Sequence, residues 1–133
     1  MRAVDANVLL RFVLGDHADH SARAAALLRR VEAGDEQVYV PEVVVSDTVW
    51  TLASFYGWPR DRTRDFLTAV LQQPSVHMRH KARMLRALDL FVGHNVDYSD
   101  ALIAAELAEG GMAIYSFDRH FGRLPDVERI EPH

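Results

Sequence analysis

Arg2-Ala3-Val4-Asp5-Ala6-Asn7-Val8-Leu9-Leu10 opens the chain. Arg2 to Asp5 reads as a short buried strand that ends on a carboxylate. Helical text takes over at Asn7 and runs to about Leu14. A strand that hands over to a helix within two residues begins a crossover unit, and that is the decision on which the rest of the chain turns.

The same alternation repeats downstream. Ser21 to Val31 carries Ala24, Leu27, Leu28 and Val31 at the spacing of one helix face, and Gly34 closes it as a left-handed terminator. Gln37 to Val40 is a second strand. Pro41 stands where a helix begins, and that helix is expected to reach Tyr56 with Val45, Val49, Leu52 and Tyr56 on its apolar side. Gly57 ends it. Pro59 opens another helix through Phe66, Leu67, Val70 and Leu71, which stops near Pro74. Val76 to Met78 is a third strand. Leu85, Leu88 and Val92 mark a helix ending at Gly93, and Asp97 to Glu109 is a further helix closed by Gly110-Gly111. Ala113 to Ser116 gives a fourth strand and Val127 to Ile130 a fifth. Short strands separated by helices specify an α/β fold: a parallel sheet of about four to five strands with helices on both faces. In such sheets ligands collect at the carboxyl ends of the strands.

Four acids occupy places that this organisation can deliver to one site. Asp5 ends the first strand. Asp47 interrupts the apolar run Val43-Val44-Val45-Ser46-Asp47-Thr48-Val49-Trp50. Asp100 lies in Asp97-Tyr98-Ser99-Asp100-Ala101-Leu102, and Asp118 follows the fourth strand in Ser116-Phe117-Asp118. Each has an ordinary alternative. Asp5 is a favoured residue for capping the helix near Asn7. Asp97 and Asp100 fit a capping box. Asp47 could face solvent, and Asp118 could be a turn residue. Glu42 competes with Asp47 but sits in a first turn, where an acid complements the helix dipole. Carboxylates in places expected to be core are costly unless neutralised, and a divalent cation neutralises several at once. Oxygen ligands without cysteine point to a hard ion, Mg2+ or Mn2+. The chemistry such a site supports is in-line displacement at phosphorus.

Composition bounds the rest. The 133 residues suit one domain, 1–133, able to bury a core. There are no cysteines, which excludes disulfides, thiolate zinc sites and cysteine nucleophiles. No apolar run approaches the roughly 20 residues of a membrane span, and no signal peptide is read at the N-terminus, so a cytoplasmic location is expected. The net charge of −4 argues against a generally basic nucleic-acid binder. Basic residues nevertheless cluster at Arg60, Arg62 and Arg64, and again at Arg79, Lys81, Arg83 and Arg86. They form either solvated helix faces or a track for a phosphate backbone. His17 and His20 are three apart in what reads as a polar loop, and His120 reads as an exposed turn residue, with contact to a substrate near Asp118 as the alternative.

Taken together, these stretches resemble the PIN-domain ribonucleases, most closely the VapC-type toxins of toxin–antitoxin pairs. The likeness runs from about residue 2 to 131. It is carried by Val4-Asp5-Ala6-Asn7-Val8-Leu9-Leu10, by Val40-Pro41 to Trp50-Thr51-Leu52, by Asp97-Tyr98-Ser99-Asp100-Ala101-Leu102-Ile103-Ala104, and by Ser116-Phe117-Asp118-Arg119-His120-Phe121. The resemblance implies a PIN-like three-layer α/β/α architecture and a metal-dependent endoribonuclease using Mg2+ or Mn2+. It also implies a homodimer and a small antitoxin partner. By motif position Asp5, Asp100 and Asp118 match three of the family's acids, and Asp97 matches an accessory acid. Asn7 matches the polar residue after the first acid, and Ser116 the small hydroxyl residue before the last. Asp47 stands where the family usually has Glu. One methylene shorter, its carboxylate is expected to reach a metal through water or to shift its helix.

Two other acid-based folds fail on residues. A haloacid-dehalogenase-like phosphatase needs Asp-x-Asp on its first strand, and here the text is Asp5-Ala6-Asn7. A phospho-receiver needs a late lysine, and the one lysine is Lys81, in helical text. The alternative that survives is a PIN-like module that binds RNA or a partner without cutting.

Overall fold

The opening strand β1 (Arg2–Ala3) pairs in parallel with β2 (Val38–Tyr39), with Arg2 opposite Val38 and Ala3 opposite Tyr39. On the other side of β2 lies β3 (Val76–His77), also parallel, with Val38 opposite Val76. The ladder extends past the strand ends, where Val4 N donates to Tyr39 O at 2.9 Å and Val40 N to His77 O at 2.8 Å. Val4, Val38, Val40 and Val76 are all buried. The stretch Arg2 to Asp5, expected to be a buried strand, is buried at Val4 alone, with Arg2, Ala3 and Asp5 exposed, because the strand is short and lies at the edge of its ladder. The computed structural model describes residues 1–133 as two compact units, Met1–Lys81 and Ala82–His133.

In the first unit β1 leads into α1 (Ala6–Leu14), followed by α2 (Ala18–Ala33), β2, α3 (Glu42–Trp50), a π-helical segment (Thr51–Phe55), α4 (Arg60–Leu71) and β3. The crossovers between parallel partners are therefore helical, as the alternation requires. Gly34 terminates α2 with φ 82°, and its N–H reaches Arg30 O and Val31 O. A side chain there would be strained in this left-handed conformation. Helix α2 starts earlier than the apolar spacing indicates. His17 is its N-cap, with the Nδ1 accepting from His20 N at 3.1 Å. The two imidazoles stack at 3.9 Å, so they form a helix start rather than a loop.

The helix from Pro41 also differs from its sequence reading, although it does reach the predicted end. Val45, Val49 and Leu52 are buried as expected, with Leu52 at 0% exposure, but Tyr56 is 46% exposed. The reason is the change of helix type. Tyr56 N donates to Thr51 O at 3.0 Å, an i→i+5 bond. The wider turn rotates the residues beyond Leu52 off the 3.6-residue stripe. Thr48 and Thr51 both turn their hydroxyls back on carbonyls four residues earlier, Val44 O at 2.7 Å and Asp47 O at 2.8 Å. Such back-bonding competes with the α ladder where the switch occurs.

The second unit takes up most of α5 (Lys81–Gly93), then α6 (Tyr98–Gly110), β4 (Ile114–Tyr115), a 3-10 turn (Arg119–Arg123) and β5 (Arg129–Ile130). Strands β4 and β5 pair in parallel, Ile114 opposite Arg129 and Tyr115 opposite Ile130. All five expected strands are present and every pairing is parallel, distributed as a three-stranded and a two-stranded ladder. Phe91 of α5 meets Tyr98 of α6 edge to face at 6.2 Å, and Tyr98 Oη donates to Met84 Sδ at 3.7 Å. Alongside this contact Arg83 grips both Glu109 oxygens, through Nε at 3.2 and 3.1 Å, and reaches Glu106 at 3.6 Å. The helix α6 buries Ala101, Ala104 and Ala105, small residues that suit close approach of backbone. No helix in either unit is long and apolar enough to cross a membrane.

Candidate metal centre in the second unit

Asp118 leaves β4 and caps the 3-10 turn, with its Oδ1 accepting from His120 N at 2.9 Å. The preceding hydroxyl fixes it from behind, since Ser116 Oγ accepts from Asp118 N at 2.9 Å. Ser116 thereby fixes the backbone at Asp118. The cap bond also turns the His120 ring toward the acid: Nδ1 lies 3.4 Å from Asp118 Oδ1.

Asp100 occupies the third position of α6, and one ligand atom each from Asp100, Asp118 and His120 fall within 4.8 Å of one another. Two carboxylates and an imidazole at that separation form a donor set of the size a cation needs. Asp97 is the N-cap residue of the same helix, yet its side chain makes no capping hydrogen bond. The capping-box alternative is therefore not formed, and Asp97 remains as charge beside Asp100.

The electrostatics agree with the geometry. Asp100 has its pKa raised above 3.8 by partial burial, then by Asp118 and by Asp97, with His120 acting the other way. Asp118 and Asp97 act on Asp100 as like charges. The donors are carboxylate oxygens plus one imidazole, which hard and borderline metals accept.

A stability consequence follows for the metal-free protein. Folded Asp100 holds its proton to higher pH than the unfolded chain does. In the window above the ordinary aspartate value the folded state thus binds more protons, and stability falls as pH rises through it. Asp100→Asn removes that fall. In EDTA at neutral pH the variant is expected to melt a few degrees above wild type, with the gap closing toward about pH 4. Melting curves across pH check this; a gap that does not change with pH contradicts it.

The remaining candidates lie in the first unit. Asp5 follows β1 in extended conformation, φ −85° and ψ 159°, and caps α1 by accepting from Ala6 N at 2.7 Å. Capping and ligation use different lone pairs, so the cap does not exclude the second role. Asn7 is exposed in the first turn of α1 and lines a cavity of about 510 Å³ with Arg11, His20, Arg23 and Leu27. Asp47 is exposed on α3, and its carbonyl accepts from Thr51. The premise that these acids sit in a core is corrected: Asp5, Asp47, Asp97 and Asp118 are exposed and Asp100 alone is half-buried. Each stands at an element's end or on an outer helix face, where water already solvates part of the charge.

The sequence reading set His120 near Asp118 as a turn residue or substrate contact and did not count it among the donors that the structure groups. The usable signal was Asp118-x-His120 after a strand, because a capping Asp brings the N–H two residues on, and with it that side chain, to its own carboxylate.

Comparison with known proteins supplies the family. The PIN domain profile matches residues 2–127. The chain is 23% identical to a VapC ribonuclease of Aquifex aeolicus over 125 residues, covering 93% of this chain and 92% of that protein. It is 29% identical to Ribonuclease VapC31 of Mycobacterium tuberculosis over 146 residues, and 29% to Ribonuclease VapC25 of the same organism over 141, covering 99% of every chain involved. A profile match that spans nearly the whole sequence makes this chain a member of the PIN domain family.

Proposed function

We propose that the chain is a metal-dependent endoribonuclease and the toxin of a toxin–antitoxin pair. It hydrolyses RNA phosphodiesters with Mg2+ or Mn2+. The observation that carries the reading is the convergence of Asp100, Asp118 and His120, with Asp97 raising the charge on it. Support comes from family membership and from relatives that bear the name VapC ribonuclease.

In this reading Asp100 and Asp118 hold the ion, and His120 or Asp97 completes or buffers its shell. A bound divalent cation supplies Lewis-acid stabilisation of charge at the phosphate and makes the attacking water more acidic. The chain does the positioning. Ser116 locks the backbone of Asp118, and the N-terminus of α6 contributes its partial positive charge at Asp100. No serine or histidine nucleophile is required.

Asp5 is proposed as a further ligand and Asn7 as the side chain that holds its loop, both on motif position. Asp47 is proposed to act through water, because it is shorter than the Glu the family usually carries. The two compact units are proposed to work as one PIN domain, 1–133, since the profile match crosses the boundary between them. A homodimer, an antitoxin partner and a cytoplasmic location belong to the same proposal. Trp50, Val43 and Phe55, all well exposed on α3 and the π segment, offer apolar surface for association.

The alternative is an RNA- or partner-binding module that does not cut, and Asp47 in place of Glu is what favours it. Expression separates the two. Induced wild type is expected to arrest growth of a bacterial host within a few generations, and Asp118→Asn at the same level is expected to leave growth normal. Arrest by both proteins alike, or by neither, would count against a nuclease toxin.

A further inference from the structure

We propose that His120 binds the ion directly through its imidazole and makes the centre favour first-row transition ions, Mn2+ among them, over Mg2+. The inference rests on the nuclease reading and names the residue that sets the metal preference of that site.

The geometry of the turn carries it. Asp118 Oδ1 accepts from His120 N at 2.9 Å, so the backbone that bears the ring is tied to the acid that bears the charge. The ring returns to the same carboxylate, with Nδ1 at 3.4 Å from Asp118 Oδ1. That is longer than an N–H···O hydrogen bond of roughly 2.7–3.2 Å. It suits two donors that share an ion, because metal bonds of about 2.0–2.2 Å set neighbouring ligand atoms roughly 3 Å or more apart. Asp100 supplies the third point: one donor atom from each of Asp100, Asp118 and His120 falls within 4.8 Å of the others. Asp118 N is in turn bound to Ser116 Oγ at 2.9 Å. The histidine is therefore placed by a chain of hydrogen bonds and not by a loose turn.

Asp97 is the rival third donor, and the choice between the two has a chemical consequence. The group of donors within 4.8 Å contains His120 and not Asp97. Three carboxylates would make an all-oxygen set, which suits Mg2+ and Mn2+ alike. An imidazole nitrogen adds little for Mg2+, a hard ion that parts from its water reluctantly. For first-row transition ions the same nitrogen is a good donor, and affinity rises from Mn2+ toward Co2+ and Ni2+. Two carboxylates and one imidazole thus spread these ions apart in affinity, where Asp97 in place of His120 would hold them more nearly together.

Calorimetric titration of Mg2+, Mn2+ and Co2+ into the untagged, metal-free chain tests this on wild type, His120→Ala and His120→Asp. Both variants keep the backbone N–H that the Asp118 cap uses. Wild type is expected to bind Co2+ more tightly than Mn2+, and Mn2+ more tightly than Mg2+. His120→Ala is expected to lose about 10-fold or more in affinity for Co2+ and Mn2+, the scale on which even the partners of metal ligands act, with Mg2+ little changed. His120→Asp is expected to narrow the spread by binding Mg2+ at least as well as wild type. Pulsed EPR of bound Mn2+ reads the contact itself: wild type should show a directly bound imidazole nitrogen, and His120→Ala should not. Bound Mn2+ without that nitrogen overturns the proposal. An equal loss of all three ions in His120→Ala also overturns it, since that is what a histidine that only steadies Asp118 would produce. So does unchanged binding, or a folded wild type with no affinity for Mn2+. RNA cleavage measured in parallel reports on the nuclease reading separately. Cutting with no nitrogen on the ion removes the role of His120 alone, and nitrogen-bound Mn2+ without cutting removes the nuclease alone.

Discussion

Asp100→Asn is expected to lower RNA cleavage on the order of 10³-fold, the loss that follows removal of one group on which developing charge is stabilised. Asparagine keeps the size and position of the side chain and deletes one negative charge. The rest of α6 should not respond, since Ala101, Ala104 and Ala105 bury the face that holds the helix. The variant should in fact fold at least as well, because the partial burial of a charge and the repulsion from Asp118 and Asp97, which together raise the Asp100 pKa, are gone. A better-folded and inactive protein is a signature that misfolding cannot imitate. Activity within a few-fold of wild type would remove Asp100 from the chemistry.

The second large effect concerns Asp5, where two roles have to be separated. Its side chain caps α1, so Asp5→Ala alone would confuse lost ligation with a weakened helix start worth about 0.5–2 kcal/mol. Serine is also a favoured N-cap and offers no carboxylate. Asp5→Ser is therefore expected to keep the melting temperature near wild type and to lose about 10²-fold or more in cleavage. Asp5→Ala should lose the same activity and some stability as well. If Asp5→Ser cuts RNA normally, Asp5 is a cap and the first unit's share of the chemistry must come from elsewhere.

Much of this molecule is legible in its sequence, and the parts that are not share a physical cause. Strand positions were readable because a buried valine marks each of them, at Val4, Val38, Val40 and Val76, between helical stretches. Gly34 and Gly111 were readable as terminators because both take positive φ. The acids at Asp97, Asp100 and Asp118 were readable because each adjoins an element boundary, where chain direction fixes position. What stayed hidden depends on where backbone hydrogen bonds go. The π segment after Trp50 leaves the apolar spacing intact up to Leu52 and shows itself at Tyr56, one turn too late to be seen as a pattern. His120 looks like any turn histidine until the Asp118 cap folds it back on its own carboxylate. The exposure of Asp5, Asp47 and Asp118 was also hidden. Periodicity assigns a face within an element, but Asp5 and Asp118 lie beyond the ends of two-residue strands, where there is no face to assign, and Asp47 lies on the outer face of α3.

These particulars bear on Asp47. It sits one turn before the switch to π geometry, with its carbonyl engaged by Thr51. The shorter acid and the altered helix occur within one turn of each other, Asp47 in α3 and the π segment from Thr51.

The account stands most directly on one assay: cleavage of a mixed, structured RNA pool by wild type and by Asp100→Asn, in Mg2+ or Mn2+ and again in EDTA. Cutting by wild type that needs the metal, stops in EDTA and is absent from the folded variant is the predicted result. Cutting that survives EDTA, or that Asp100→Asn performs as well as wild type, would contradict the claim that this acid cluster is the nuclease centre.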